Sequence, residues 1–313
     1  MRTAGIFAAV ALTYLSFGSS HARADASKAW AAAKLGLPAD AKLVVGVDLA
    51  ALQKTQLFAT FYPELLQKAE VKSVIDSIKD TCKIDPLTAV KTVVVAIADD
   101  QKDGAVYIAF SGVDKAKLSS CLQSTVQGIA DKTAKISLKQ DGNVTEISDG
   151  KDTVFFGWAG KDVLVVPVRA QDKSSLQKWM DGKSGLAKSD LGKRIAKVNT
   201  SAALWGAGEG TKEIQSGVTA KGGYGAVTFS KGNLDADVHA VMENAAQATK
   251  MAGDMKKQIE DVKQLPQVPS AAVAMLKAVT IAPANDEIVI KANLVEKDLL
   301  SVLSFARAAM GGP

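Results

Sequence analysis

The chain has 313 residues, 47% of them hydrophobic and 23% charged, with a formal net charge of +5 at neutral pH. A chain this long and this apolar buries a core and is not intrinsically disordered. Its cations alternate with anions rather than forming a basic run, and only 5% of its residues are aromatic. Both features argue against a nucleic-acid binder, which clusters Lys and Arg on one face and interleaves stacking rings.

Residues 1–24 read as an export address. Arg2 precedes an apolar run from Ala4 to Phe17, and Ala22-Arg23-Ala24 fits the small-x-small pattern of a signal peptidase site. The run is shorter than the ~20 residues of a membrane-spanning helix. Cleavage after Ala24 removes Arg2 and Arg23, which lowers the net charge from +5 to +3, and delivers the remainder to the periplasm. Retention of the segment as an N-terminal anchor is the alternative. No cysteine follows the cleavage site, so a lipoprotein anchor is not expected, and no further stretch reaches membrane length.

From Asp25 the pattern is that of two copies of one unit. In the first, Leu43–Leu49 is a short β-branched strand, and Ala50–Lys79 has apolar residues at helical spacing. Pro63 interrupts that run and is expected to open a second helix at its first turn. Asp80–Pro86 reads as a loop carrying Cys82. Val93–Phe110 reads as a hairpin turning at Asp103-Gly104, followed by a helix capped by Asp114 and carrying Cys121. Strands follow at Ile136–Lys139, Val144–Ile147, Thr153–Trp158 and Val163–Val168, separated by Gly-containing turns. A helix through Trp179 and a polar linker at Lys183–Lys188 close the unit near residue 190.

The second copy opens with Ala202–Gly206, and Gly206–Gly223 reads as loop or weak helix. Strands are expected at Gly225–Ser230 and Leu234–Met242. The second of these turns Asp235, Asp237 and His239 to one face, which is expected to be wet. Asn244–Lys263 is a clean amphipathic helix ended by Pro266 and Pro269; Val279–Ala282 and Glu287–Leu294 form a hairpin, and Lys297–Ala308 a last helix.

The opening Leu37-Pro38-Ala39-Asp40-Ala41, then Val44-Val45-Gly46-Val47-Asp48-Leu49, then Cys82-Lys83-Ile84-Asp85-Pro86, resembles uncharacterised secreted proteins of Gram-negative bacteria. The resemblance covers about the first third of the chain and implies no catalytic residues.

Searching for chemistry returns mostly negatives. After cleavage the one histidine is His239; with two cysteines it cannot furnish a Cys/His zinc site, and no serine lies in a nucleophile elbow. Asp99–Gly104 starts like a calcium loop but has Phe110 where the twelfth-position Glu belongs. Gly206-Ala-Gly-Glu-Gly misplaces its third glycine for a dinucleotide loop, and Gly182-Lys183-Ser184 lacks the first glycine of a P-loop. No catalytic, metal or cofactor residue is assigned. The pair Cys82 and Cys121 is expected to form a structural disulfide, as an even pair does in an oxidising compartment.

The expected fold is α+β: a tandem duplication, residues 25–190 and 191–313, of a strand–helix–hairpin–helix–hairpin–helix unit. Each unit is an antiparallel sheet with helices packed on one face. The expected function is that of a non-catalytic exported protein binding a protein partner or apolar ligand through a sheet face or the cleft between the repeats. A lipid or lipoprotein carrier of the envelope, and an enzyme of unrecognised class, are the alternatives.

Overall fold

A computed structural model describes residues 27–98, 103–113, 115–129, 137–148, 150, 153–168, 173–183, 185–215, 217–266 and 268–309. The export segment and the Asp114 cap lie outside these residues. All twelve strands belong to one mixed-order, antiparallel sheet, arranged β11-β12-β10-β9-β8-β1-β2-β3-β7-β6-β5-β4. The strands are β1 (Ala41–Asp48), β2 (Val90–Ala98), β3 (Gly104–Phe110), β4 (Ser137–Asp141), β5 (Val144–Ser148), β6 (Thr153–Trp158), β7 (Val163–Pro167), β8 (Leu204–Gln215), β9 (Val218–Ser230), β10 (Asn233–Met242), β11 (Val279–Ala284) and β12 (Glu287–Val295). Residues up to 190 supply one end of the sheet and residues beyond it the other; they join where β1 pairs with β8, from Leu43 opposite Gly208 to Val47 opposite Leu204.

That pairing fills the place where a cleft between the halves was expected. Among the described residues, a crevice at the junction lined by Ser27, Asp48, Thr200, Ser201 and Trp205 has about 10 Å³, room for one water. Gly46 lies opposite Trp205 across the junction. Trp205 is buried and meets Trp30 edge-on, with ring centroids 4.9 Å apart. A Cβ on Gly46 would sit 2.1 Å from the Trp205 ring, so glycine is what lets the indole lie flat on β1.

Helices cover both faces of the sheet, which corrects the expected one-sided layer. On the first face lie α1 (Lys28–Gly36), α7 (Lys173–Lys178), a 3-10 turn (Leu186–Lys188) and α8 (Asp190–Ile195). They bury Trp30, Leu176, Trp179, Leu186, Leu191 and Ile195 against Val44, Val94, Tyr107, Val165 and Trp205. The stretch read as a polar linker, Lys183–Lys188, is thus packed through Leu186, and the helix just beyond it buries Leu191 and Ile195, four residues apart. Asp103 fastens α7: its carboxylate accepts from Ser175 Oγ (2.7 Å), Trp179 Nε1 (2.8 Å) and Lys178 Nζ (3.1 Å). Burial pushes the Asp103 carboxyl up, but these hydrogen bonds prevail and hold it below the usual carboxylate range.

The second face carries α2 (Leu49–Leu52), α3 (Gln56–Leu66), α4 (Ala69–Cys82), α5 (Pro86–Ala89), α6 (Lys115–Ile129), α9 (Ala245–Lys263), α10 (Ser270–Lys277) and α11 (Glu296–Ala309). Pro63 lies inside α3 rather than opening a helix. It and Ala59, the residue four before it, are exposed, so water can answer the carbonyl that the proline leaves unbonded. Pro269 caps α10, an eight-residue helix for which no start signal was read.

The largest departure from the sequence reading is at 206–223, expected as loop and found as the long hairpin β8–β9. Glycine weakens a strand in isolation; here both strands are held by partners on either side, β1 for β8 and β10 for β9.

Candidate functional site

Strand register builds the most distinctive surface. On the second face two rows of residues cross the middle of the sheet. One runs Leu43, Gly208, Gly223, Ala240, Ile288; the other runs Val45, Gly206, Gly225, Val238, Ile290. In both rows the two inner strands, β8 and β9, contribute only glycine. The floor therefore drops by a side-chain layer between aliphatic banks. Leu43 and Val238 are 40% and 39% exposed, so the helices leave this strip uncovered.

Helices rise on either side of the strip. Toward one end of the strands, α9 buries Ala248 and Ala252 with Val218, Met242, Ile281 and Ile288. Toward the other, α3 and α11 pack Phe58, Phe61, Leu299, Leu300 and Leu303 against the cluster of Val47, Leu57 and Phe229. The result is an open apolar trough walled by helices. Alternation of Trp205 and Ala207 with Gly206 and Gly208 has the period of two that marks a strand. It is the signal that could have shown this surface, and the glycine content masked it.

The opposite face of the same strands carries His239, as the alternation along β10 predicts. Its Nδ1 lies 2.9 Å from Glu287 Oε2 and its Nε2 3.1 Å from Asp237 Oδ1. The ring stacks on Tyr224 at 4.5 Å. Tyr224 donates its hydroxyl to Glu287 Oε2 (2.7 Å) and Lys197 donates to Glu287 Oε1 (2.7 Å). Lys291 lies 3.5 Å from Asp237 Oδ2. Burial raises the Glu287 carboxyl, and the bonds from Lys197, Tyr224 and His239 overcome this and hold it low. Burial, then the hydrogen bond to Glu287 and its charge, pushes the Tyr224 phenol up.

Each member of this network is answered by another member. Both imidazole nitrogens face carboxylates, so His239 is not poised on a hydroxyl or thiol as a general base would be. The cluster pins β9, β10 and β12 to the segment after α8. Among the described residues, no group of three or more His, Cys, Asp and Glu is placed to hold a metal ion.

Cys82 and Cys121 lie at disulfide distance, with Cα atoms 4.9 Å apart. Cys82 is the last residue of α4 rather than a loop residue, because Lys83 takes the left-handed conformation (φ 52°) that ends the helix. The pair ties α4 to α6 over Ile84, Phe110, Leu118, Phe156, Trp158 and Leu164.

No protein-family model matches the chain. No curated protein matches it either. Solved structures do. Crystal form III of TP0453 is similar over 87% of this chain and 97% of its own, at a TM-score of 0.52 and 11% identity. Crystal form I of TP0453 covers 87% and 96%, with a TM-score of 0.49 and 10% identity. At such identity the likeness is one of fold alone. Among the described residues, no helix is long and apolar enough to cross a membrane.

Proposed function

We propose that this chain is an exported, non-catalytic binding protein of the cell envelope that takes an apolar ligand in the glycine-floored trough. One observation carries the reading: two cross-strand rows with glycine at their centre and half-exposed Leu43 and Val238 on their banks. An interior strand pair without side chains weakens a sheet, and glycine there often marks close approach of another group. An uncovered apolar strip in the middle of a sheet is a usual place for a ligand or partner. A lipid or lipoprotein carrier is the version in which that ligand is an acyl chain.

Export fits the apolar run and Ala22-Arg23-Ala24, and the cysteine pair suits an oxidising compartment. The two units, 25–190 and 191–313, are read as a duplication. Outward from the junction, β1-β2-β3-β7-β6 and β8-β9-β10-β12-β11 run in the same order, with α6 and α9 each following the third strand.

Native mass spectrometry and solvent extraction of protein taken from the periplasm test the reading. Wild type is expected to carry an apolar ligand. Val238→Asp, a change at an exposed site, is expected to shed it without loss of fold. A ligand-free wild type, or a ligand retained in full by the variant, overturns the proposal; a protein partner captured instead by wild type and lost with Val238→Asp moves the trough to protein recognition.

A further inference from the structure

The C-terminal helix α11 holds on in an unusual way. Its described leucines, Leu299, Leu300 and Leu303, are only partly buried, whereas its first residue, Glu296, is 3% exposed. Apolar side chains ordinarily carry such a contact and acidic ones stay at its rim. Here the order is reversed.

The Glu296 carboxylate reaches the first turn of α3, where Oε1 accepts from the Leu57 backbone N–H at 2.7 Å. That turn is a closed unit. Thr55 caps it, accepting from Phe58 N (3.0 Å) and donating to Leu52 O (2.8 Å), and is itself buried. The Leu57 N–H is one of the amides that a helix start leaves without an intrahelical acceptor. A negative charge there is also favoured by the helix dipole. The bond joins residues 239 apart in the chain.

We infer that α11 is a lid on the second face of the sheet and that Glu296 is its latch. The partly buried leucines share the contact with one deep, charge-assisted hydrogen bond: once the carboxylate leaves, an orphan amide remains and the start of the helix is held by the leucine contacts alone. Opening would uncover the cluster around Phe229 and lengthen the trough toward the turn that joins β9 to β10. Glu296 N also donates to Gly232 O in that turn (2.9 Å), so one residue ties the start of α11 to α3 and to the sheet at once. The inference deepens the apolar-ligand reading by giving the trough a wall that can move, and it rests on that reading for its purpose only.

Hydrogen–deuterium exchange on ligand-free protein tests the latch whether or not a ligand exists. Glu296→Ala is expected to speed exchange in 52–66 and 296–304 by about tenfold or more, the change that follows loss of a charged hydrogen bond. Strands β5–β7 should keep their wild-type rates. Glu296→Gln, whose amide oxygen can still accept from Leu57, should recover most of the protection, and Glu296→Ser, too short to reach Leu57, stands in for the loss if the alanine variant does not fold. Unchanged exchange in 296–304, a uniform rise across the molecule, or Gln behaving as Ala would each overturn the latch. A latch that passes while wild type extracts without ligand leaves the lid in place and removes the ligand reading.

Discussion

Gly46→Ala is a one-carbon test of how the two halves of the sheet are joined. The added Cβ would lie 2.1 Å from Trp205 Cε2, 2.2 Å from Nε1 and 2.4 Å from Cζ2. Carbon atoms in contact sit ~3.5–4.0 Å apart, so the indole must retreat by more than an ångström. It has nowhere to go, being 3% exposed and wedged against Trp30. Overpacking of this kind costs about 1–3 kcal/mol, which in a protein of this size lowers the melting temperature by about 2–5 °C. Gly206→Ala is the control: it is one position along β8 from Trp205, and its nearest neighbour is the Val44 carbonyl at 3.3 Å, so it should cost much less. Trp205→Phe should relieve the Gly46→Ala penalty, giving a coupling of at least ~0.5 kcal/mol in the double-mutant cycle. Calorimetry showing equal melting temperatures for the two alanine variants, or strict additivity with Trp205→Phe, would refute the close approach.

Two further outcomes follow from residues already described. Cys121→Ser should lower the melting temperature of the oxidised protein and leave the reduced protein almost unchanged. The bridge spans 39 residues, worth ~4 kcal/mol in the chain-entropy account, and thiol titration of freshly released protein should find no free cysteine. Asp103 and Glu287 are held below their ordinary range in the fold, so what they contribute is complete above pH ~5 and is lost as the pH falls further. Asp103→Asn should therefore destabilise at pH 7 more than at pH 3; urea midpoints that drop equally at both would count against the Asp103 clamp on α7.

The strands with β-branched alternation were legible from the residues: Thr153–Trp158 and Leu234–Met242 fall on observed strands, and so does Leu43–Leu49 but for Leu49, which opens α2. So was the facing of Asp235, Asp237 and His239 away from the aliphatic side of β10. The trough was not. Gly206, Gly208, Gly223 and Gly225 have no side chain to show an inside and an outside, and their strands exist through pairing on both edges, which no local pattern reports. Asp103 read as a turn residue because its partners, Ser175, Lys178 and Trp179, lie more than seventy positions away. Glu296 was hidden for the same reason. A glutamate at the start of a helix looks like ordinary first-turn chemistry until the helix it caps proves to be a different one.

The central position of β1 also sets the order of assembly. Its partner on one side, β2, ends at Ala98, but its partner on the other, β8, begins only at Leu204. For roughly 110 residues of synthesis, on the order of 5–20 s, a nascent chain that had folded its first half would carry Leu43–Val47 as a bare strand edge. Such an edge recruits other strands. A chain whose middle strand waits that long for its neighbour gains from being kept unfolded until all of it has emerged, a delay that the export proposed above would provide.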